Sequence, residues 1–146
     1  MALNTDRRGH RYPAFTYEVS RAKVAEYAAV TGCAEPAHTA DPRTVPNADV
    51  PVPPTFAAVL TLGLEHSLLA DDALGAHWNL LHAGQRFSFS RPFAVGDVLR
   101  CTPHIADIVA RRGLDLLTLG VDVDDVDGQS VCEARSLILF YDREAG

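Results

Sequence analysis

The sequence predicts an α+β domain in which a long antiparallel sheet wraps around one central buried helix. Three observations carry this. First, after Pro54 the residues Phe56, Val59, Leu60, Gly63, Leu64, Ser67 and Leu68 recur at helical spacing with few polar residues between them. A helix that is apolar nearly all round belongs inside a molecule. Second, from Leu80 onward four strand-like stretches are separated by the breaks and turns of a meander: Arg91-Pro92, Gly96-Asp97, Arg111-Arg112-Gly113 and the acidic run from Asp124 to Gly128. Third, such a sheet needs its inner face covered, and a long apolar helix needs hiding, so wrapping one around the other satisfies both.

Taken in order, residues 15–19 read as a short strand and Ser20 as a helix N-cap. Over residues 21–31, Val24, Tyr27, Ala28 and Thr31 fall at helical spacing, and Gly32 is the expected stop. Residues 33–53 hold Pro36, Pro42, Pro46, Pro51 and Pro53 and few large apolar residues, so they read as an irregular but structured loop. Its length of roughly 20 residues points to a loop that is functional or covers something. Pro54 suits the first turn of the central helix, which Asp71 and Asp72 end. The strands are expected at residues 80–89, 98–109, 114–123 and 130–141. In the first of these, Gln85, Phe87 and Phe89 alternate with Arg86, Ser88 and Ser90. With no repeat, linker or low-complexity segment, residues 1–146 read as a single domain. An edge of such a sheet stays open, and pairing with a second copy is the usual way to close it.

Composition narrows the function. An apolar fraction of 47% is ordinary for a globular protein, and a net charge of -6 argues against a nucleic-acid partner. No apolar run reaches the ~18 residues of a membrane span, and the basic N-terminal residues are followed by no apolar signal region. Cys33, Cys101 and Cys132 are odd in number and far apart, as expected of reduced thiols in a cytoplasmic protein. Cys101 and Cys132 read as core residues, and Cys33 as a small buried residue after the helix stop. The histidines show no metal-ligand spacing, so no metal or other cofactor is expected.

The loop carries one histidine, His38, whose imidazole suits proton transfer near neutral pH. The carboxylates Glu35 and Asp41 stand three residues to either side of it. Glu65 and His66 lie on the predicted central helix, where neighbours point about 100° apart and cannot both face one site. Trp78, Phe87 and Phe89 read as core or channel lining, and Asp122, Asp124, Asp125 and Asp127 as a solvated acidic hairpin.

Several stretches together resemble the MaoC-like (R)-specific hydratases and dehydratases. They are Tyr17-Glu-Val-Ser-Arg-Ala-Lys-Val-Ala-Glu-Tyr-Ala28, Pro53-Pro-Thr-Phe56, Leu81-His-Ala-Gly-Gln-Arg-Phe87 and Arg91-Pro-Phe-Ala-Val-Gly-Asp97. Within that family the chain is most similar to the actinobacterial type-II fatty-acid-synthase dehydratase subunits, the mycolic-acid pathway pair included, which are FAS1-like dehydratase domains. The resemblance covers nearly the whole chain and implies the hot-dog fold. The family's motif, Ser/Thr-Gly-Asp-x-Asn-Pro-(apolar)-His, falls on Thr31-Gly-Cys-Ala-Glu-Pro-Ala-His38. Pro36 and His38 match; Cys33 stands at the aspartate position and Glu35 at the asparagine position. The resemblance implies that aspartate and histidine activate a water that adds to, or leaves from, C3 of an acyl thioester.

With the aspartate absent, Glu35 or Asp41 would have to assist His38. The resemblance also implies that amides at Thr55, Phe56 and Ala57 polarise the thioester carbonyl, as free N–H groups at a helix start can. His82 and Gln85 would fall on the wall of the acyl tunnel. Three functions follow as expectations. The chain is a (3R)-hydroxyacyl-thioester dehydratase or trans-2-enoyl-thioester hydratase of fatty-acid or polyketide-type metabolism. Alternatively it is the non-catalytic acyl-channel subunit of a heterodimeric dehydratase. The third is a thioesterase or acyl-binding module that uses Glu65. The expected partners are an acyl-CoA or acyl-carrier-protein thioester and a second hot-dog subunit, in a homodimer or heterodimer.

Overall fold

The computed structural model describes residues 2–142. Its frame is one five-stranded antiparallel sheet, formed by β1 (Phe15–Glu18), β2 (Leu80–Phe89), β3 (Val98–Arg111), β4 (Leu114–Asp124) and β5 (Ser130–Tyr141). The spatial order is β1-β3-β4-β5-β2, which leaves β1 and β2 as the edges. All four strand pairs are antiparallel. β3 and β4 run closer to their turn than alternation alone indicates. Arg111 pairs with Leu114, and the hairpin is closed by Arg112 and Gly113 only. Gly113 stands at φ 79°, a conformation that favours glycine.

The first helix, α1 (Arg21–Thr31), is capped at both ends by the residues expected. The Ser20 hydroxyl accepts from the Lys23 amide at 3.1 Å. Gly32 turns left-handed at φ 74°, and the Cys33 amide donates back to the Ala28 carbonyl at 2.8 Å, the bonding of a Schellman stop.

The central segment differs from the expected continuous helix. It forms a 3-10 helix over Pro54–Leu60, a run of turns, and then a short α2 (Glu65–Leu69). The cause is local. Gly63 sits at φ 80°, and the Thr61 hydroxyl donates to the Ala58 carbonyl at 2.9 Å, drawing that carbonyl into local turn bonding. Glycine inside a helix costs about 1 kcal/mol, and here it breaks the helix.

The break divides the core. The 3-10 segment buries Phe56, Ala57 and Leu60 among Val24, Leu99, Val121, Val131 and Ala134. α2 buries Leu68 in a second cluster with Leu74, Ile105, Leu117, Ile138 and Phe140. Leu64, in the break, packs against both. Cys101 and Cys132 are core residues as expected, whereas Cys33 is exposed rather than buried, because the Schellman turn lifts it off the helix end.

Two clamps fasten the frame. Arg91 reaches the Asp97 carboxylate at 2.8 Å, and the Ala94 amide donates to the same carboxylate; the Arg91–Asp97 stretch is thus a self-bonded turn before β3. At the N-terminus, Arg7 and Tyr12 both donate to the Asp71 carboxylate, at 2.6 and 2.8 Å, just beyond α2.

Candidate functional site

The loop after α1 is held from below by one side chain that the sequence reading did not single out. Arg21, on the first turn of α1, donates to the Val45 carbonyl at 2.7 Å, the Ala40 carbonyl at 3.0 Å and the Asn47 side chain at 3.1 Å. Its guanidinium supplies the donors that an irregular loop rich in proline cannot supply for itself. Pro36–His38 forms one 3-10 turn on this loop.

His38 is buried, with 5% of its surface exposed. Its Nε2 lies 2.6 Å from the Pro51 carbonyl oxygen. A carbonyl only accepts, so Nε2 carries the hydrogen. Nδ1 is buried and has no hydrogen-bond partner among the described residues. His38 borders a recess of about 170 Å³ that Cys33 and Glu35 also line. Neither expected carboxylate is bonded to it. Glu35 is exposed. Asp41 is taken by Arg43, whose guanidinium reaches it at 2.6 Å and whose amide donates to it at 2.8 Å. That side-chain bond, reinforced by the amide, holds the Asp41 carboxyl below its ordinary range.

At the start of the central segment, Thr55 is exposed while Phe56 and Ala57 are buried. The Phe56 amide donates to the Pro53 carbonyl at 2.9 Å. In a 3-10 helix the ladder runs from each amide to the carbonyl three residues back, so the Ala57 amide also falls within it. Thr55 carries the first N–H of the segment that lies outside this ladder. Beside it, Pro53 and Pro54 meet Phe89 and Phe93 around an apolar recess of about 260 Å³.

His82 and Gln85 meet. Strict alternation would set them on opposite faces of β2, but the register shifts between His82 and Gly84. The extra residue of this bulge turns His82 to the side of Gln85. His82 Nε2 lies 3.1 Å from Gln85 Oε1, and the Ser136 hydroxyl donates to the same oxygen at 2.7 Å.

These side chains line a groove of about 340 Å³ where the central helix is broken. Its apolar walls are Ala58, Leu62, Leu80, Leu119 and Ile138, and its polar groups include Glu65, His82, Gln85 and Ser136. Glu65 therefore faces the groove, while His66 is turned away and stacks edge-on against Trp78 at 5.7 Å. Trp78 is neither core nor groove lining: 70% of it is exposed. Phe87 packs against the core, and Phe89 stays partly exposed beside Phe93. The loop histidine and the groove are thus separate places. Among the described residues no cluster of His, Cys, Asp or Glu is arranged to hold a metal ion, and no helix is long and apolar enough to cross a membrane.

A family model described as "FAS1-like, dehydratase domain region" matches residues 7–134. A UPF0336 protein of Saccharopolyspora erythraea is 36% identical over 144 residues, covering 95% of this chain and 92% of that protein. Among solved structures, the C-terminally truncated HadBC (3R-hydroxyacyl-ACP dehydratase) complex from Mycobacterium tuberculosis is similar. The likeness has a TM-score of 0.74 at 26% identity and covers 94% of this chain and 99% of that one. A MaoC-like dehydratase shares the fold with a TM-score of 0.78 at 24% identity; the match covers 94% of this chain and 43% of that longer one.

Proposed function

The chain belongs to the family of FAS1-like dehydratase domains, hot-dog proteins of the dehydratase and hydratase class, and on that premise we propose that it is the acyl-binding subunit of a two-subunit (3R)-hydroxyacyl-thioester dehydratase. The observation that carries this reading is the state of His38. The nitrogen that holds its hydrogen is committed to the Pro51 carbonyl, and the other is buried with no carboxylate, or any other group among the described residues, hydrogen-bonded to it. Addition or removal of water at C3 needs a base within reach of the reacting water and a group to orient it. Cys33 stands where the family's aspartate would, and a thiol is mostly neutral at pH 7.

The groove supports the other half of the reading. At about 340 Å³ it lies at the lower end of the ~300–1,000 Å³ of ligand cavities and has their mixture of apolar walls and few polar groups. An acyl chain laid there is shielded by Leu62, Leu119 and Ile138. The partner subunit, carrying a complete aspartate and histidine motif, supplies the acid–base pair. The HadBC complex, a dehydratase of two different subunits, is the precedent for such an assembly.

The test is hydration of crotonyl and longer trans-2-enoyl thioesters, followed by loss of the enoyl absorbance. The purified chain alone is expected to be inactive, and adding a hot-dog subunit with the complete motif is expected to restore turnover. Turnover by the chain alone that disappears in His38→Ala would replace this reading with a self-sufficient enzyme.

One observation favours thioester hydrolysis as a second reading. Glu65 stands in the groove wall with no hydrogen bond or ion pair among the described residues. Release of free thiol from an acyl thioester by the chain alone, lost in Glu65→Gln, would establish it.

A further inference from the structure

The groove is not uniformly apolar, and the arrangement of its polar wall is specific. Ser136 lies on the inner face of β5, between Ala134 and Ile138, and is itself only 5% exposed. A buried hydroxyl needs a partner, and Ser136 finds it across the sheet in Gln85 Oε1 at 2.7 Å. His82, turned inward by the β2 bulge, approaches the same oxygen at 3.1 Å. The Ser136 hydroxyl, joined by His82 in the tautomer that carries its hydrogen on Nε2, thus holds the carboxamide oxygen and fixes which way the amide points. Its NH2 group remains: Gln85 is exposed at the groove wall, and among the described residues that donor has no hydrogen-bond acceptor, so it is left to solvent.

A saturated hydrocarbon chain lying against Gln85 would strip water from the NH2 group and return nothing, and an unmade hydrogen bond in a desolvated place is costly. An oxygen on the chain at that position would accept from it. We infer that the groove selects acyl thioesters that bear a hydroxyl or keto oxygen part-way along the chain, with the Gln85 amide as the donor that recognises it. This inference rests on the reading of the groove as an acyl site and adds the class of acyl chain. The discrimination follows a general asymmetry: a site built to bond an oxygen rejects the analogue that lacks it more strongly than an apolar site rejects an added hydroxyl.

The experiment is calorimetric binding of the full chain to dodecanoyl-CoA and to a series of its monohydroxy forms, with the hydroxyl moved from C5 to C9. At least one position is expected to bind about tenfold tighter than the saturated chain, equivalent to ~1.4 kcal/mol, with the gain falling away on either side. Gln85→Met, of nearly equal length and without the amide, is expected to bind all members alike. An unchanged strand-type circular dichroism spectrum checks that the variant is folded. A flat series in the unaltered protein overturns the inference and leaves the acyl-groove reading standing, as does a preference that survives in folded Gln85→Met. If neither saturated nor hydroxylated chains bind, the acyl-groove reading falls and this inference falls with it.

Discussion

His38 is where motif and geometry part. In sequence it matches the histidine of the motif whose resemblance implies catalysis; in space its Nε2 ties the Pro36–His38 turn to Pro51 at 2.6 Å. A structural tie and a catalytic base respond differently to substitution. His38→Ala should lower unfolding stability by about 1–3 kcal/mol, because the Pro51 carbonyl loses its donor. His38→Gln, which retains a side-chain N–H, should recover part of that loss. With the partner subunit present, both variants that remain folded should keep hydration within a few fold of the unaltered complex. A drop of about a hundredfold or more in folded protein, the size expected for loss of a general base, would return His38 to the chemistry. The cysteines make a second residue-scale prediction. Burial pushes the Cys101 thiol up to about 12 and the Cys132 thiol up to about 11, whereas Cys33 is exposed. A thiol reagent at pH 8 should therefore label one cysteine in the native protein and all three in denaturant. Rapid labelling of two or three in the native state would contradict the packing of β3 and β5 described above.

Elements explain which parts were legible beforehand. β3, β4 and β5 were read nearly to their ends because one face is buried and the other solvated, so burial alternates with a period of two and the turns carry Gly or Asp. The caps of α1 were legible because Ser20 and Gly32 act through their own local chemistry. Apolar spacing predicts a continuous central helix because Gly63 fits the spacing, yet Gly63 adopts φ 80° and the helix breaks; spacing measures which face is apolar and is blind to backbone torsion. The pairing of His82 with Gln85 was hidden for a similar reason. Strict alternation separates them, and only the bulge, which depends on the partner strand, brings them together. The Arg21 anchor and the Asp71 clamp were invisible because their partners lie far away in sequence. The clamp carries a prediction. Burial alone would raise the Asp71 carboxyl, but bonds from Arg7 and Tyr12 outweigh it and hold the group below its ordinary value. Conversely, burial, together with its bond to Asp71, raises the Tyr12 phenol. A depressed folded-state carboxyl stabilises at pH values above its unfolded value of about 3.9, and the benefit is lost as pH falls through the folded value. Asp71→Asn should thus destabilise the protein by about 1–3 kcal/mol at pH 7. The gap between variant and unaltered protein should narrow in melts below about pH 4. A gap that is the same at pH 7 and pH 3 would show that the carboxylate charge contributes nothing.

At the scale of the whole molecule, the open feature is the β2 edge. β2 pairs with β5 on one side only, so its other side presents unpaired backbone groups. Near it, three large apolar side chains stand in solvent: Leu62 at 73%, Trp78 at 70% and Leu81 at 56% exposed. An open edge flanked by exposed apolar residues favours association. Charge blunting is the usual protection of an edge, and on β2 only Arg86 supplies a formal charge. The groove adds to the argument, because Leu62 lines it and is exposed at once, so a second subunit seated along β2 would cover an acyl chain that this chain leaves partly open. The same surface can accept a copy of this chain or the subunit with the complete motif, and a two-subunit dehydratase requires the second to win when both are present. Sedimentation of the chain alone at micromolar concentration should therefore show a dimer, and adding the motif-bearing subunit should convert it to a one-to-one complex. Trp78→Asp combined with Leu81→Lys places charge on the edge without touching either core cluster. That double variant should sediment as a folded monomer, fail to form the mixed complex, and lose the turnover that the partner confers. If it stays dimeric and active, association runs through another surface, and the edge of β2 is open for a different reason.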